Sequence, residues 1–254
     1  MGENIKETEI TKPSSDNVFC AQPWVGLQIR PNGGLRPCCM YDNDIGNFEN
    51  GEGLKKYNSS KELTEIRSSF KSGVWPKGCK NCLKEELSTG TSPRIFSPGL
   101  EKNIAWHSEN ESYQKVEIFV SNVCNLDCIM CSTDFSSKWN SIVPELNKQD
   151  INYNKFKVKE INNITRDNIE LIYEKSKNAK EVILLGGEPF ASKEIIHFIK
   201  LWSENNCDGQ LTIITNGTLL NDRVLDVLSK CSKVLLILSI DGHGKTYEWI
   251  RGFP

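Results

Sequence analysis

Four short runs, Val116–Val120, Glu181–Leu185, Leu211–Ile214 and Val234–Leu238, are rich in β-branched and other apolar residues. Each stops at a polar or glycine-bearing turn: before Cys124, at Gly186-Gly187, at Thr215-Asn-Gly217 and at Asp241-Gly242. Runs apolar on both faces predict buried parallel strands. Helical patterns separate them. Ile169, Ile172 and Tyr173 share one face, Ile195, Phe198, Ile199 and Trp202 a second, and Val224, Leu228 and Cys231 a third. Asn221 is placed to cap the last of these helices. Strand–helix alternation with short connections predicts an α/β fold built of right-handed βαβ units. In such sheets, chemistry gathers at the carboxyl ends of the strands.

The 254-residue chain carries ten cysteines, too sparse for a disulfide scaffold. Met1–Asn17 is polar and has no apolar segment of a secretory signal, so a cytoplasmic location is expected. Thiols stay reduced there, and ten of them point to metal or redox chemistry. A net charge of −2 provides no footprint for nucleic acid. The longest apolar run, Val234–Ile240 with Ser239 inside it, falls far short of the ~20 residues of a membrane span.

The cysteines are unevenly placed. Cys20, Cys38, Cys39, Cys79 and Cys82 lie in the first third, and Cys124, Cys128 and Cys131 form a tight central group. Cys207 and Cys231 lack metal-type spacing and read as packed thiols, and His107, His197 and His243 are isolated. The stretch Ser88–Ser112, with Gly90, Pro93, Pro98 and Gly99, reads as a connection. It divides the chain into a cysteine-rich part, 1–111, and an α/β part, 112–254. Lys148–Lys159 reads as a solvated insertion. Gly244-Lys245-Thr246 is not a phosphate-binding loop, because that pattern requires glycine where Ser239 stands.

Cys124, Cys128 and Cys131 stand in the pattern C-x3-C-x2-C directly after a strand. Three thiolates can wrap one compact centre and leave a coordination position open, as a catalytic site requires. Three cysteines with a distant fourth ligand would also suit zinc. At the end of the second strand, Gly186 and Gly187 leave backbone groups unshielded for close approach of a ligand. Glu188 can accept a charge-assisted hydrogen bond from an ammonium group, and Pro189 suits the first turn of a helix.

The cysteine triad followed by Gly186-Gly187-Glu188-Pro189 resembles the radical S-adenosylmethionine (radical SAM) superfamily. The likeness continues through Thr215-Asn-Gly-Thr218 and Ser239-Ile-Asp-Gly242, and covers the chain from about Lys115 onward. It implies that Cys124, Cys128 and Cys131 each bind one iron of a 4Fe–4S cluster, with the fourth iron chelated by SAM. It also implies that Gly186, Gly187 and Glu188 contact the SAM amino group. Asn216, Ser239 and Asp241 would then line the cofactor or substrate pocket, although Asn-Gly and Asp-Gly also favour turns without any such role. The implied reaction is reductive cleavage of SAM, fed by a low-potential electron donor, and abstraction of a substrate hydrogen. Met130 stands where many members of the family carry an aromatic residue. The family barrel has six strands. Four are legible here, so a partial (β/α)6 barrel is expected, continued by further chain beyond Pro254.

In the first part, Asn32-Gly33 between two short extended runs predicts a hairpin. Ser59-x-x-Glu62 predicts a capping box for a helix bearing Leu63, Ile66 and Phe70. Cys79-x2-Cys82, with two distant cysteines from the hairpin region, can build a four-thiolate site in a small α+β domain. This arrangement resembles the SPASM and twitch domains that hold auxiliary iron–sulfur clusters. The resemblance implies Cys20, Cys38, Cys79 and Cys82 as ligands, with Cys38 preferred to its neighbour Cys39 because it follows Pro37. Here the domain precedes the barrel, whereas it commonly follows. Structural zinc fits the same spacing. Peptide or protein modification is the first substrate expectation, since many SPASM and twitch relatives act on peptides. A small molecule or sugar is the runner-up, and a non-catalytic metal-binding scaffold is the alternative from another class.

Overall fold

The protein is described by a computed structural model covering residues 18–95, 104, 112–119, 121–148, 165–205 and 207–252. His107, Pro98, Gly99, Val120, Met1–Asn17 and all but the first residue of the Lys148–Lys159 stretch lie outside these. The expected strands form where the apolar runs stand: β4 (Lys115–Phe119), β5 (Glu181–Leu185), β6 (Gln210–Thr215) and β7 (Val234–Leu238). They pair in parallel in that order. The cysteine-rich part contributes β1 (Gly26–Ile29), β2 (Gly34–Arg36) and β3 (Gly46–Asn47). β1 joins the same sheet parallel to β4, with Leu27 opposite Val116 and Ile29 opposite Ile118. The sheet order is β3-β2-β1-β4-β5-β6-β7, so the hairpin extends the α/β sheet.

The helices are α1 (Gln22–Val25), α2 (Glu52–Tyr57), α3 (Lys61–Lys71), α4 (Lys80–Thr89) and α5 (Trp139–Lys148), followed by α6 (Arg166–Ser176), α7 (Lys193–Glu204), α8 (Asp222–Leu228) and α9 (Gly244–Arg251). Asn221 caps α8, its side chain accepting from the Val224 N–H at 3.2 Å. The α3 cap is Ser60, not Ser59. Ser60 is extended and its hydroxyl accepts from the Leu63 N–H, whereas the Ser59 hydroxyl donates to the Lys56 carbonyl and closes α2. The Asn32-Gly33 turn forms as read, with Gly33 at φ 80° and the Arg30 N–H bonded to the Gly34 carbonyl at 2.8 Å.

Alternation along the strands gives the sheet two unlike faces. Val116, Ile118, Val182, Leu184, Leu211 and Ile213 are fully buried in one core with the apolar stripes of α6 and α7. Phe198 and Trp202 stack in its middle, ring centres 6.0 Å apart. The second face is polar near the strand starts. Lys115 pairs with Glu181 at 3.6 Å, the Thr212 hydroxyl donates to Glu181, and the Gln28 amide donates to Glu117 at 2.8 Å. β7 departs from the expectation of a strand buried on both faces. Among the described residues it pairs with β6 alone, and Leu235, Ile237 and Leu238 are exposed. Among the described residues, no helix is long and apolar enough to cross a membrane.

Replacing the fully buried Phe198 with alanine removes the centre of the helix–sheet core. Urea unfolding should register a loss of about 3–5 kcal/mol.

Candidate metal centres

The central triad sits on a loop that follows β4 and whose backbone carbonyls are tied down chiefly by side-chain donors of the same segment. Asn122 uses its side-chain N–H to hold the Thr133 carbonyl at 2.8 Å, and its own carbonyl accepts from the Ser137 N–H at 2.7 Å. The Ser136 hydroxyl donates to the Leu126 carbonyl, and the Trp139 indole donates to the Cys128 carbonyl at 3.0 Å. Leu126, 1% exposed, plugs the loop into the fold. A buried loop is tolerated only when its polar backbone groups find partners, and these bonds supply them. Cys128 is buried, whereas Cys124 and Cys131 are half-buried. Burial first, with the neighbouring thiols adding, pushes the Cys124 and Cys131 thiols above the ordinary range. The Cys131 thiol lies within electrostatic reach of both others.

The Gly186-Gly187-Glu188 turn packs directly on this loop. The Gly187 N–H donates to the Ser121 carbonyl at 3.1 Å, and the Glu188 N–H to the Val123 carbonyl at 2.8 Å. A Cβ at Gly187 would stand 2.3 Å from the Val123 oxygen, and one at Gly186 would stand 2.8 Å from the Ser121 oxygen. The close approach that requires glycine is thus made by the 121–123 backbone. Glu188 is 2% exposed and faces inward. One carboxylate oxygen accepts from the Phe190 N–H at 3.1 Å and the Thr215 hydroxyl at 2.7 Å, and the other from the Asn216 N–H at 2.8 Å. A carboxylate offers about four acceptor positions, so this cradle occupies most of them and leaves room for one more donor.

The remaining strand ends close around the loop. The Asn216 side chain donates to Asn125 at 3.0 Å and accepts from Thr218, while Asn125 donates to the Thr218 hydroxyl at 2.7 Å. The Ser239 N–H continues the β6–β7 ladder to the Thr215 carbonyl. Asp241 pairs with Arg251 of α9, and the Arg251 guanidinium lies 3.8 Å from the Cys128 sulfur. The Ile129 N–H bonds the Ile250 carbonyl at 2.9 Å. Cys124, Cys128, Cys131, Gly186–Glu188, Asn216, Ser239 and Asp241 therefore share one end of the sheet. Asn125 and Arg251 were not singled out from the sequence. Asn125 stood inside the triad as a spacer position, and Arg251 stood on a helix with no pattern pointing to the loop.

The N-terminal thiols converge as well. Cys20, Cys38, Cys39 and Cys82 line a cavity of about 170 Å³ together with Arg94, Lys115 and Glu117. Burial, then the nearby Cys20 and Cys39 thiols, raise Cys38 well above the ordinary thiol range, and Cys79 is within reach too. Cys79 is pushed up to about 12, chiefly by burial and then by Cys20 and Cys82. Cys39 faces a different neighbour: burial and the Glu117 carboxylate beside it raise it to about 11. Arg94, from the connecting stretch, overlooks the cavity. It forms a bidentate pair with Glu86, its two nitrogens 2.9 and 2.6 Å from the carboxylate oxygens. Its guanidinium stacks 5.1 Å over the Trp75 ring. Glu86 is 1% exposed. Burial alone would raise its carboxyl, but Arg94 and the Ser92 hydroxyl outweigh that and hold it below the usual range.

Outside these sites, the Cys207 thiol packs 3.7 Å from the Tyr173 hydroxyl, Cys231 abuts the Ile199 carbonyl, and His197 pairs with Glu170 at 3.2 Å. Among the described residues, no three His, Cys, Asp or Glu side chains are drawn together tightly enough to clasp a single metal ion. The all-thiol donor sets suit an iron–sulfur centre, in which each thiolate takes a separate iron, and four thiolates also suit zinc.

Three outcomes follow. Gly187→Ala forces the turn off the 121–123 backbone and should cost about 1–3 kcal/mol in urea unfolding. In the metal-free chain, the raised thiols leave little thiolate at pH 8.5, so iodoacetamide should label Cys39 and Cys79 more slowly than the same residues in urea. Unfolded thiols ionise first as pH rises, so the metal-free fold should lose stability above about pH 9 and continue to lose it up to about pH 12.

Comparison with known proteins gives two family matches. Residues 20–83 match the SPASM iron–sulfur cluster-binding domain. A radical SAM cyclopropyl synthase, TigE of Paramaledivibacter caminithermalis, is 25% identical over 229 residues, covering 86% of this chain and 46% of that protein. The crystal structure of Streptococcus suis SuiB bound to S-adenosylmethionine aligns at TM-score 0.39 and 18% identity, covering 90% of this chain and 49% of that one. SuiB bound to precursor peptide SuiA aligns at 0.33 and 16%, covering 91% and 50%. The chain thus spans about half the length of these relatives. The Radical SAM superfamily description matches residues 118–254, more than half of the 254-residue sequence, and the chain belongs to that superfamily of enzymes.

Proposed function

We propose that Cys124, Cys128 and Cys131 hold a 4Fe–4S cluster that works with SAM, and that Cys20, Cys38, Cys79 and Cys82 hold an auxiliary iron–sulfur cluster. The observation that carries this reading is the packing of the loop that bears all three thiols against the Gly186–Glu188 turn at the carboxyl end of β4. When bound, these groups supply one-electron reductive cleavage of SAM and hydrogen-atom abstraction from a substrate.

The chain's own residues do the positioning. Glu188, held by Phe190, Thr215 and Asn216, keeps acceptor capacity for an ammonium group. Asn125, Asn216 and Thr218 fix the loop to the end of β6, so the thiols and Glu188 keep one geometry. Asp241 aims Arg251 at the Cys128 sulfur and places positive charge beside a thiolate. At the auxiliary site, Cys38 lies within reach of the Cys20 and Cys79 thiols and Cys39 faces Glu117, which supports Cys38 as the ligand. The two-part division at 112 and a peptide or protein substrate belong to the same proposal. The substrate class rests on the SPASM and twitch resemblance, with a small molecule or sugar as the runner-up.

Anaerobic reconstitution of the full-length protein should yield about eight irons, four per cluster. Cys124→Ala should remove about half of them. Reduction with SAM present should release 5′-deoxyadenosine, read by mass spectrometry. Colourless stoichiometric zinc in place of iron, or no 5′-deoxyadenosine from reconstituted protein, would sink the reading.

A further inference from the structure

A groove of about 510 Å³ opens on the helical side of the sheet, where the first turns of α6, α7 and α8 meet. Its floor includes the buried Phe190 and Val224. Its walls carry Arg166 from α6, Lys193 and Lys200 from α7, and Arg223 from α8, against one carboxylate, Glu204. All four cations are exposed. Arg166 reaches Glu170 only at 3.9 Å. Lys193, Lys200 and Arg223 make no ion pair with any described residue, and Glu194 of the same first turn is turned onto the Ser192 hydroxyl at 3.0 Å. On a chain of net charge −2, Lys193, Lys200 and Arg223 thus place three cations without an ion-pair partner among the described residues around one groove.

The groove adjoins the candidate SAM-cluster site. The Phe190 N–H donates to Glu188 at 3.1 Å, and the Glu188 N–H donates to the Val123 carbonyl at 2.8 Å. Val123 is bonded to Cys124. Two hydrogen bonds and short pieces of backbone therefore link the groove floor to the first thiol.

We propose that this groove docks an acidic one-electron carrier protein that reduces the centre held by Cys124, Cys128 and Cys131. The inference rests on the function proposed above. A substrate must reach the strand ends, whereas this groove lies among the helices on the outer side. A small anion would call for buried, converging donors. Here the cations are exposed and spread over three helices, with Lys193 and Lys200 separated by roughly 10 Å of helix. Such a field steers and orients a macromolecule of opposite charge. The carrier loses one electron, the centre gains it, and no covalent bond is made or broken.

The test compares reconstituted wild type with the triple variant Lys193→Glu, Lys200→Glu, Arg223→Glu, using a purified acidic flavodoxin as probe. Binding of oxidised flavodoxin, read by calorimetry at low and high salt, should be salt-sensitive in wild type and at least tenfold weaker in the variant. Stopped-flow reduction by flavodoxin should slow at least tenfold, while reduction by dithionite stays unchanged. Equal binding and equal flavodoxin rates in the two proteins would overturn the docking proposal. So would stoichiometric binding of inorganic phosphate or of a Glu-rich peptide to a groove that ignores flavodoxin. Failure of dithionite-reduced wild type to cleave SAM would instead overturn the function proposed above.

Discussion

The contact on which the site depends is backbone against backbone. The 121–123 segment lies on Gly186 and Gly187 with no space for a Cβ, and two N–H groups of the turn reach its carbonyls. Without that approach the cysteine loop would have no fixed seat at the sheet end. With it, Glu188 is brought under the loop, and its carboxylate ties together the ends of β5 and β6. The glycines serve packing between two loops, and the acidic residue after them inherits its position from that packing.

β4 is the other organising element. Lys115 and Glu117 line the N-terminal thiol cavity, and the central cysteine loop follows the strand's carboxyl end. A five-residue strand at about 3.3 Å per residue therefore spaces the two thiol sites. Because β1 pairs with β4 in the same sheet, the relation between the sites is set by rigid hydrogen-bonded strands rather than by the connecting stretch. Arg94 from that stretch is nonetheless drawn onto Glu86 and Trp75 beside the cavity, which ties the connection to the site it flanks.

Much of this was legible before any coordinates. β5 and β7 begin and end where their apolar runs do, and β6 is one residue longer at each end. The apolar stripes of α6 and α7 are buried as their periodicity implies. The less legible features have physical reasons. Two adjacent serines offered two caps for α3, and only backbone geometry selected Ser60. The apolar run of β7 looks like that of a central strand, but burial depends on neighbours, and among the described residues β7 has one on the β6 side alone. Arg251 and Arg94 carry no local signal, because an arginine's partner is set by the path of the chain around it.

The sequence by itself determined the alternation of strands and helices, the two regions in which the cysteines gather, and the placing of the central motifs after strands. These follow from periodicity and spacing, which are local. Only the tertiary structure decided that the hairpin joins the sheet, that Cys38 lies beside Cys20 and Cys79 while Cys39 faces Glu117, that Glu188 points inward, and that Arg251 meets Cys128. Each of these depends on segments far apart in the chain meeting, and that meeting is set by packing the two faces of the sheet.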